Sequence, residues 1–379
     1  MAAVDAPVRA QGLAGVVAGQ TAVCSIELGG GHELAYRGYD VHELAERATF
    51  EEVARLLLYG ELPNRDELAA YERAVAGHRF LPDAAKSMLR QFPVNASAMD
   101  VLRSVVSLLG VLDRDAGPED DTAAIATRLI GVMPTALLFW HQLREGRYEP
   151  RVEGGSGSVA AATLRALLDR EPDEQAERIL SGSFILYAEH EFNASAFCAR
   201  IVSSTGADTY SAIAAAIGAL KGWRHGGANE AALRFIEPLS DPDEAEREVL
   251  SRLKRGERIM GFGHRLYRTG DPRARLMREW SREVARTTCD SRLFDVSDRI
   301  EQVMAREKNL FANVDFWCAS CWHGLGIPVE LFTPLFVVAR TSGWSAHVAE
   351  QRAERKLIRP KSHYVGPGYR EVVPLHARG

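Results

Sequence analysis

Apolar positions in this 379-residue chain recur mostly at helical spacing, and strand-like alternation is confined to the N-terminal end. Thr49 and Glu52 stand at capping-box spacing, Val53, Leu56 and Leu57 form an apolar stripe after them, and Gly60 supplies a left-handed stop. Asn64 with Glu67 opens a second helix that ends near Gly77. Further helices are predicted over 98–112, 122–144, 157–169, 173–189, 195–204, 208–221 and 242–255. The set continues over 273–287, 293–308, 315–323, 328–340 and 343–355. Thr21–Ile26 and Glu33–Tyr36 flank Gly29, Gly30 and Gly31 as a short hairpin. Strands and helices do not alternate, so the expected class is all-α rather than a doubly wound sheet.

Composition narrows the function classes. A net charge of −5 lacks the basic excess a nucleic-acid surface needs. The five cysteines are few, scattered and odd in number, which fits free thiols in a reducing, cytoplasmic setting. Met1–Ala10 contains no apolar run of the signal-peptide kind. Apolar stretches such as Val105–Leu112 and Leu335–Ala339 fall short of the roughly 20 residues of a membrane span.

Three segments carry candidate chemistry. In "LKGWRHGGANE" (220–230), glycines beside His225 permit close backbone approach to a ligand; a helix-end loop with an incidental histidine fits equally well. In "IMGFGHRLYRTGDPRA" (259–274), Gly261 and Gly263 flank a stretch where main-chain N–H groups could face a phosphate or carbonyl, next to His264, Arg265, Arg268 and Arg273. A Gly-rich turn beside a solvated basic face is the plainer reading. Asp315 opens an apolar helix, where a capping role competes with that of a base in a partly desolvated site. Cys318 and Cys321 form a CxxC whose default reading is buried free thiols, with a zinc or redox role as the alternative. Neither a zinc-protease HExxH nor a GxSxG elbow occurs.

In this order, these segments resemble the citrate synthase family over nearly the whole chain. "YAEHEFNASAF" around His190 and the tail "RTSGWSAHVAEQRAERKLIRPKSHYVGP" add to the likeness. The stretches "LAGVVAGQTAVC", "LAYRGYDVHELAE", "ELPNRDELAAYE" and "GIPVELFTPLFVVAR" are similar to the 2-methylcitrate synthase branch. The resemblance implies a large helical domain built from 1–226 and 327–379, and a small domain over 227–326 that closes on the site. It implies His225, His264 and Asp315 as catalytic residues. It implies His190, Arg273, Arg340 and Arg359 as the clamp for oxaloacetate, with Arg79 as a further substrate contact. It gives Arg258, Ile259, Met260 and Gly261 to coenzyme A. Acyl-CoA and oxaloacetate would be the substrates, with no metal or cofactor and no nucleic-acid or membrane partner. A homodimer would share its sites, a tail arginine entering the partner's. The implied reaction is condensation of propionyl-CoA with oxaloacetate; acetyl-CoA as acyl donor and a catalytically silent binding dimer are the alternatives. The chain departs from the family pattern at Trp223 and Arg224, at Ser97 and Ala98, and in "FWCASCWHG" after Asp315.

Overall fold

A computed structural model describes residues 11–13, 15–29, 32–152 and 154–378 of the protein. Among them, the strands are β1 (Cys24–Gly29), β2 (His32–Tyr36) and β3 (Tyr39–Asp40), joined antiparallel in that order. Gly30 and Gly31 of the expected hairpin turn, and the Met1–Ala10 segment, lie outside the described residues. Everything else of size is helical, as the all-α expectation requires.

The first helices are α1 (Val41–Arg47), α2 (Phe50–Tyr59), α3 (Arg65–Gly77), α4 (Asp83–Gln91), α5 (Ala98–Leu112) and α6 (Thr122–Arg144). Then come α7 (Val159–Leu168), α8 (Glu174–Ala188), α9 (Ala194–Ser203), α10 (Thr209–Leu220) and α11 (Ala228–Ile236). The last are α12 (Pro242–Lys254), α13 (Pro272–Thr287), α14 (Arg292–Lys308), α15 (Val314–Gly324) and α16 (Phe332–Glu354).

Local chemistry explains many of these boundaries. Both capping boxes form, at Thr49 with Glu52 and at Asn64 with Glu67, and Gly60 ends α2 at φ 94°. The two helices expected over 328–340 and 343–355 are one, because Gly343 acts in packing and not as a stop. A Cβ there would lie 2.2 Å from Oε2 of Glu189 and 2.3 Å from the carbonyl oxygen of Ala188, so glycine lets α8 approach α16.

The core is layered on α6 and α16, which pack together, with α8 and α9 against α16. By length and composition α6 could cross a membrane, although 83% of its most apolar window is buried inside the protein. Its apolar span is broken by Thr127, Arg128 and Thr135. Further along the chain, α11 and α13 pack on α15 and α12 packs on α14. The candidate residues lie on α13, α15 and α16, on the loops before α11 and α13, just after α3 and α8, and on the tail after α16.

Candidate active site

Asn313, not Asp315, caps α15: its side chain accepts the N–H of Asp315 at 3.1 Å. The Asp315 carboxylate is thereby free of capping. Its Oδ1 accepts the hydroxyl of Tyr187, on α8, at 2.7 Å. Burial pushes this carboxyl above its ordinary range, against the opposing pull of the Tyr187 bond and of Arg273 and Arg340. That is the direction a general base needs.

His225 is held on the tight turn between α10 and α11. Its N–H and that of Gly226 both donate to the carbonyl of Gly222, at 2.8 and 3.1 Å. A Cβ at Gly226 would fall 2.2 Å from the carbonyl oxygen of Leu220, so the turn requires glycine there. The backbone N–H of Ser195 donates to Nε2 of His225 at 3.1 Å, and Ser195 Oγ lies 2.8 Å from the same nitrogen. With Nε2 accepting, the ring proton resides on Nδ1, which makes that nitrogen the donor. Burial, reinforced by Arg340, lowers the His225 pKa to about 4, so the ring is neutral at pH 7.

His264 follows a loop pinned to the start of α15. The N–H of Asn313 donates to the carbonyl of Gly261 at 2.9 Å, and the Gly263 N–H donates to the carbonyl of Phe311 at 3.0 Å. The Gly263 N–H is thus committed to the protein and does not face a phosphate. Gly261 has φ +86°, and a Cβ there would stand 2.7 Å from Cβ of Phe316. Nδ1 of His264 accepts from the N–H groups of Leu266 and Tyr267 at 3.2 and 3.4 Å, which leaves the proton on Nε2. Burial and then Arg273 lower this ring also to about 4. A cavity of about 410 Å³ opens beside it, lined by Arg265, Arg268, Asp271 and Asn313 among others.

Two buried arginines tie these groups together. The charge of Arg340 acts on His225, His190 and Asp315. That of Arg273 acts on His264, His190 and Asp315. The rings of His190 and His264 meet edge to face at 5.0 Å, and the His190 Nε2 and the Tyr267 hydroxyl lie 3.0 Å apart. His190 is held neutral by burial and by both arginines. Asp271 caps α13 and grips Arg273 through two bonds of 2.9 Å. Burial would raise the Asp271 carboxyl, but Arg273 and the Val314 N–H outweigh it and hold it low. Arg340 is oriented by its Nε, which donates to the carbonyl of Tyr187 at 2.6 Å.

Six of the proposed residues are therefore drawn into one electrostatic neighbourhood: His190, His225, His264, Arg273, Asp315 and Arg340. Arg79 is not among them. Its guanidinium donates to the carbonyls of Gly155 and Gly157 at 3.1 and 2.8 Å, beside a void of about 10 Å³. Arg359 is exposed on the tail, just after the point where the Ile358 N–H is held by Ser204 Oγ. Arg258 is exposed, Ile259 and Gly261 are buried, and Met260 is half-buried on the loop before His264. Tyr187, Ser195, Tyr267 and Asp271 escaped the sequence reading; Asp271, next to Pro272, carried an N-cap signal that could have flagged it. Cys318 and Cys321 are buried free thiols. Two neutral N–H donors, a carboxylate of raised basicity and two fixed cations suit abstraction of a weakly acidic proton next to an anionic partner.

Comparison with known proteins agrees with this chemistry. The sequence profile "Citrate synthase, C-terminal domain" of the citrate synthase family matches residues 12–361. The chain is 44% identical over 367 residues to 2-methylcitrate synthase of Shewanella oneidensis, covering 97% of each. It is 40% identical to citrate synthase 2 of Bacillus subtilis, covering 97% of this chain and 99% of that one. It also superposes on citrate synthase from Thermoplasma acidophilum, solved as a ternary complex with carboxymethyl coenzyme A and oxaloacetate. There the TM-score is 0.89 and the identity 30%, over 97% of this chain and 99% of that one.

Proposed function

Because the chain belongs to the citrate synthase family and is an acyltransferase, we propose that it condenses propionyl-CoA with oxaloacetate and releases 2-methylcitrate and coenzyme A. The observation that carries this reading is the convergence of His225, His264 and Asp315 on the charges of Arg273 and Arg340.

Asp315 takes a proton from the carbon next to the thioester carbonyl. The enolate oxygen that results receives a hydrogen bond from Nδ1–H of His225. The donor is neutral, since burial and then the charge of Arg340 disfavour an imidazolium there. The enolate carbon attacks the ketone of oxaloacetate, and Nε2–H of His264 supplies a proton to the new alkoxide. Arg273, Arg340 and His190 hold the two carboxylates, for which the planar guanidinium fork is suited. Water then cleaves the thioester. Arg258 to Gly261 would lie along coenzyme A, and a closing unit over 227–326 would exclude bulk water during condensation. A homodimer would bring Arg359 of one chain to the other's site.

Acetyl-CoA is the competing acyl donor, favoured by the likeness to the Bacillus enzyme. One methylene changes discrimination by only about 1–3 kcal/mol. The test is kcat/KM for propionyl-CoA and for acetyl-CoA at saturating oxaloacetate. A higher value for propionyl-CoA supports the proposal, and a clear preference for acetyl-CoA replaces it with citrate synthesis.

A further inference from the structure

A buried tyrosine needs a partner for its hydroxyl, and satisfying that need is the plain explanation of the bond from Tyr187 to Asp315. The surroundings ask for more. Tyr187 is 1% exposed and gripped on several sides. Its ring lies 4.4 Å from that of Phe336 and 5.6 Å from that of Trp322, and its carbonyl accepts Nε of Arg340 at 2.6 Å. Cys318, one turn beyond Asp315 on α15, is a buried free thiol. The Asp315 N–H is already satisfied by Asn313, so the carboxylate takes its direction from Tyr187. With Oδ1 anchored, Oδ2 is the oxygen left to receive a proton.

Resting on the reading of Asp315 as the base, we infer that Tyr187 is a positioning residue for it, its buried hydroxyl holding Oδ1 of Asp315. The bond fixes the carboxylate rotamer, and it stabilises the ionised form that abstracts the proton.

The charged and titratable groups facing Asp315 are few enough to make pH a clean readout. Tyr187 comes from α8, Arg273 with Asp271 from the start of α13, Arg340 from α16 and Cys318 from its own helix. On α14, Glu301 engages Trp317 instead, and α11 presents Asn229, which does not titrate. The Tyr187 bond opposes the upward push of burial on Asp315, so its loss must raise the pKa of the base.

The experiment is thiol release by the full chain from propionyl-CoA or acetyl-CoA with saturating oxaloacetate, followed across pH in wild type and Tyr187→Phe. Release by the wild type establishes the functional reading independently; an inactive wild type overturns both. In Tyr187→Phe, kcat should fall about tenfold or more. KM for acyl-CoA should stay within about twofold, and the acid limb of kcat should move up by about one pH unit. Unchanged kcat and limb overturn the inference, and so does a raised KM at unchanged kcat, which would mark a substrate contact. Should Tyr187→Phe fail to fold, 3-fluorotyrosine at position 187 keeps the ring in place and makes its hydroxyl a stronger donor. Its acid limb should shift down by about a third of a unit, and an unmoved limb overturns the inference.

Discussion

The backbone N–H of Ser195 donates to Nε2 of His225 across 3.1 Å and its Oγ lies 2.8 Å from the same nitrogen, so Nε2 is committed to Ser195 and Nδ1 is the ring nitrogen left for a substrate. Ser195 is itself fixed. Its Oγ lies 2.8 Å from Oδ1 of Asn193 and accepts Nε1 of Trp344 at 3.0 Å, so a helix start and α16 together hold it against the ring.

His225→Ala removes the neutral donor while leaving base and arginines in place. Thiol release should drop by about a hundred- to a thousandfold in kcat, the range for loss of one oxyanion donor. Steady-state assay of release at saturating substrates checks this; a loss below tenfold would remove His225 from that role.

His264→Ala should spare formation of the enolate more than condensation. In heavy water, exchange of the acyl α-hydrogens in the presence of a non-reactive oxaloacetate analogue should persist, while carbon–carbon bond formation falls by about a hundredfold or more. Mass spectrometry of recovered acyl-CoA reads the exchange. Equal loss of both steps would contradict the division of labour between the rings.

Stability should fall in acid. The folded pKa of His225 and of His264 is about 4, below the ordinary 6.5, so the unfolded chain binds more protons between those values. Their contribution is complete above about pH 6.5 and is lost as pH falls toward about 4. Urea midpoints measured from pH 7 to 4 should therefore decline across that window, and a flat profile would contradict the burial of these rings.

Gly261→Ala places a Cβ 2.7 Å from Cβ of Phe316 at a backbone φ of +86°. The change should destabilise the protein by about 1–3 kcal/mol and displace the loop that carries His264. Thermal unfolding with kcat on the same preparation checks it, since both should fall.

Much of the fold was legible because its punctuation is local. Thr49, Asn64 and Gly60 act through residues three or four positions away, and they do so here as the spacing predicted. What the sequence concealed depends on distant packing. Gly343 reads as a helix break until Glu189 and Ala188 are seen against it. α1, α4 and α11 were missed because they are short, seven to nine residues, and give few turns of periodicity. In the site, the histidines and Asp315 stood out beside glycines or at a helix start. Tyr187 and Ser195 carry no such local mark, since their partners lie 128 and 30 residues away. Arg79 illustrates the converse: an arginine's charge suggests a substrate, whereas two loop carbonyls hold it.

The most direct measurement is coenzyme A release by purified wild type and by Asp315→Asn, with propionyl-CoA and with and without oxaloacetate. Wild type should release one thiol per oxaloacetate consumed, only when both substrates are present, and the variant should be slower by about a thousandfold. Release by Asp315→Asn at the wild-type rate would contradict the assignment of Asp315 as the group that takes the proton.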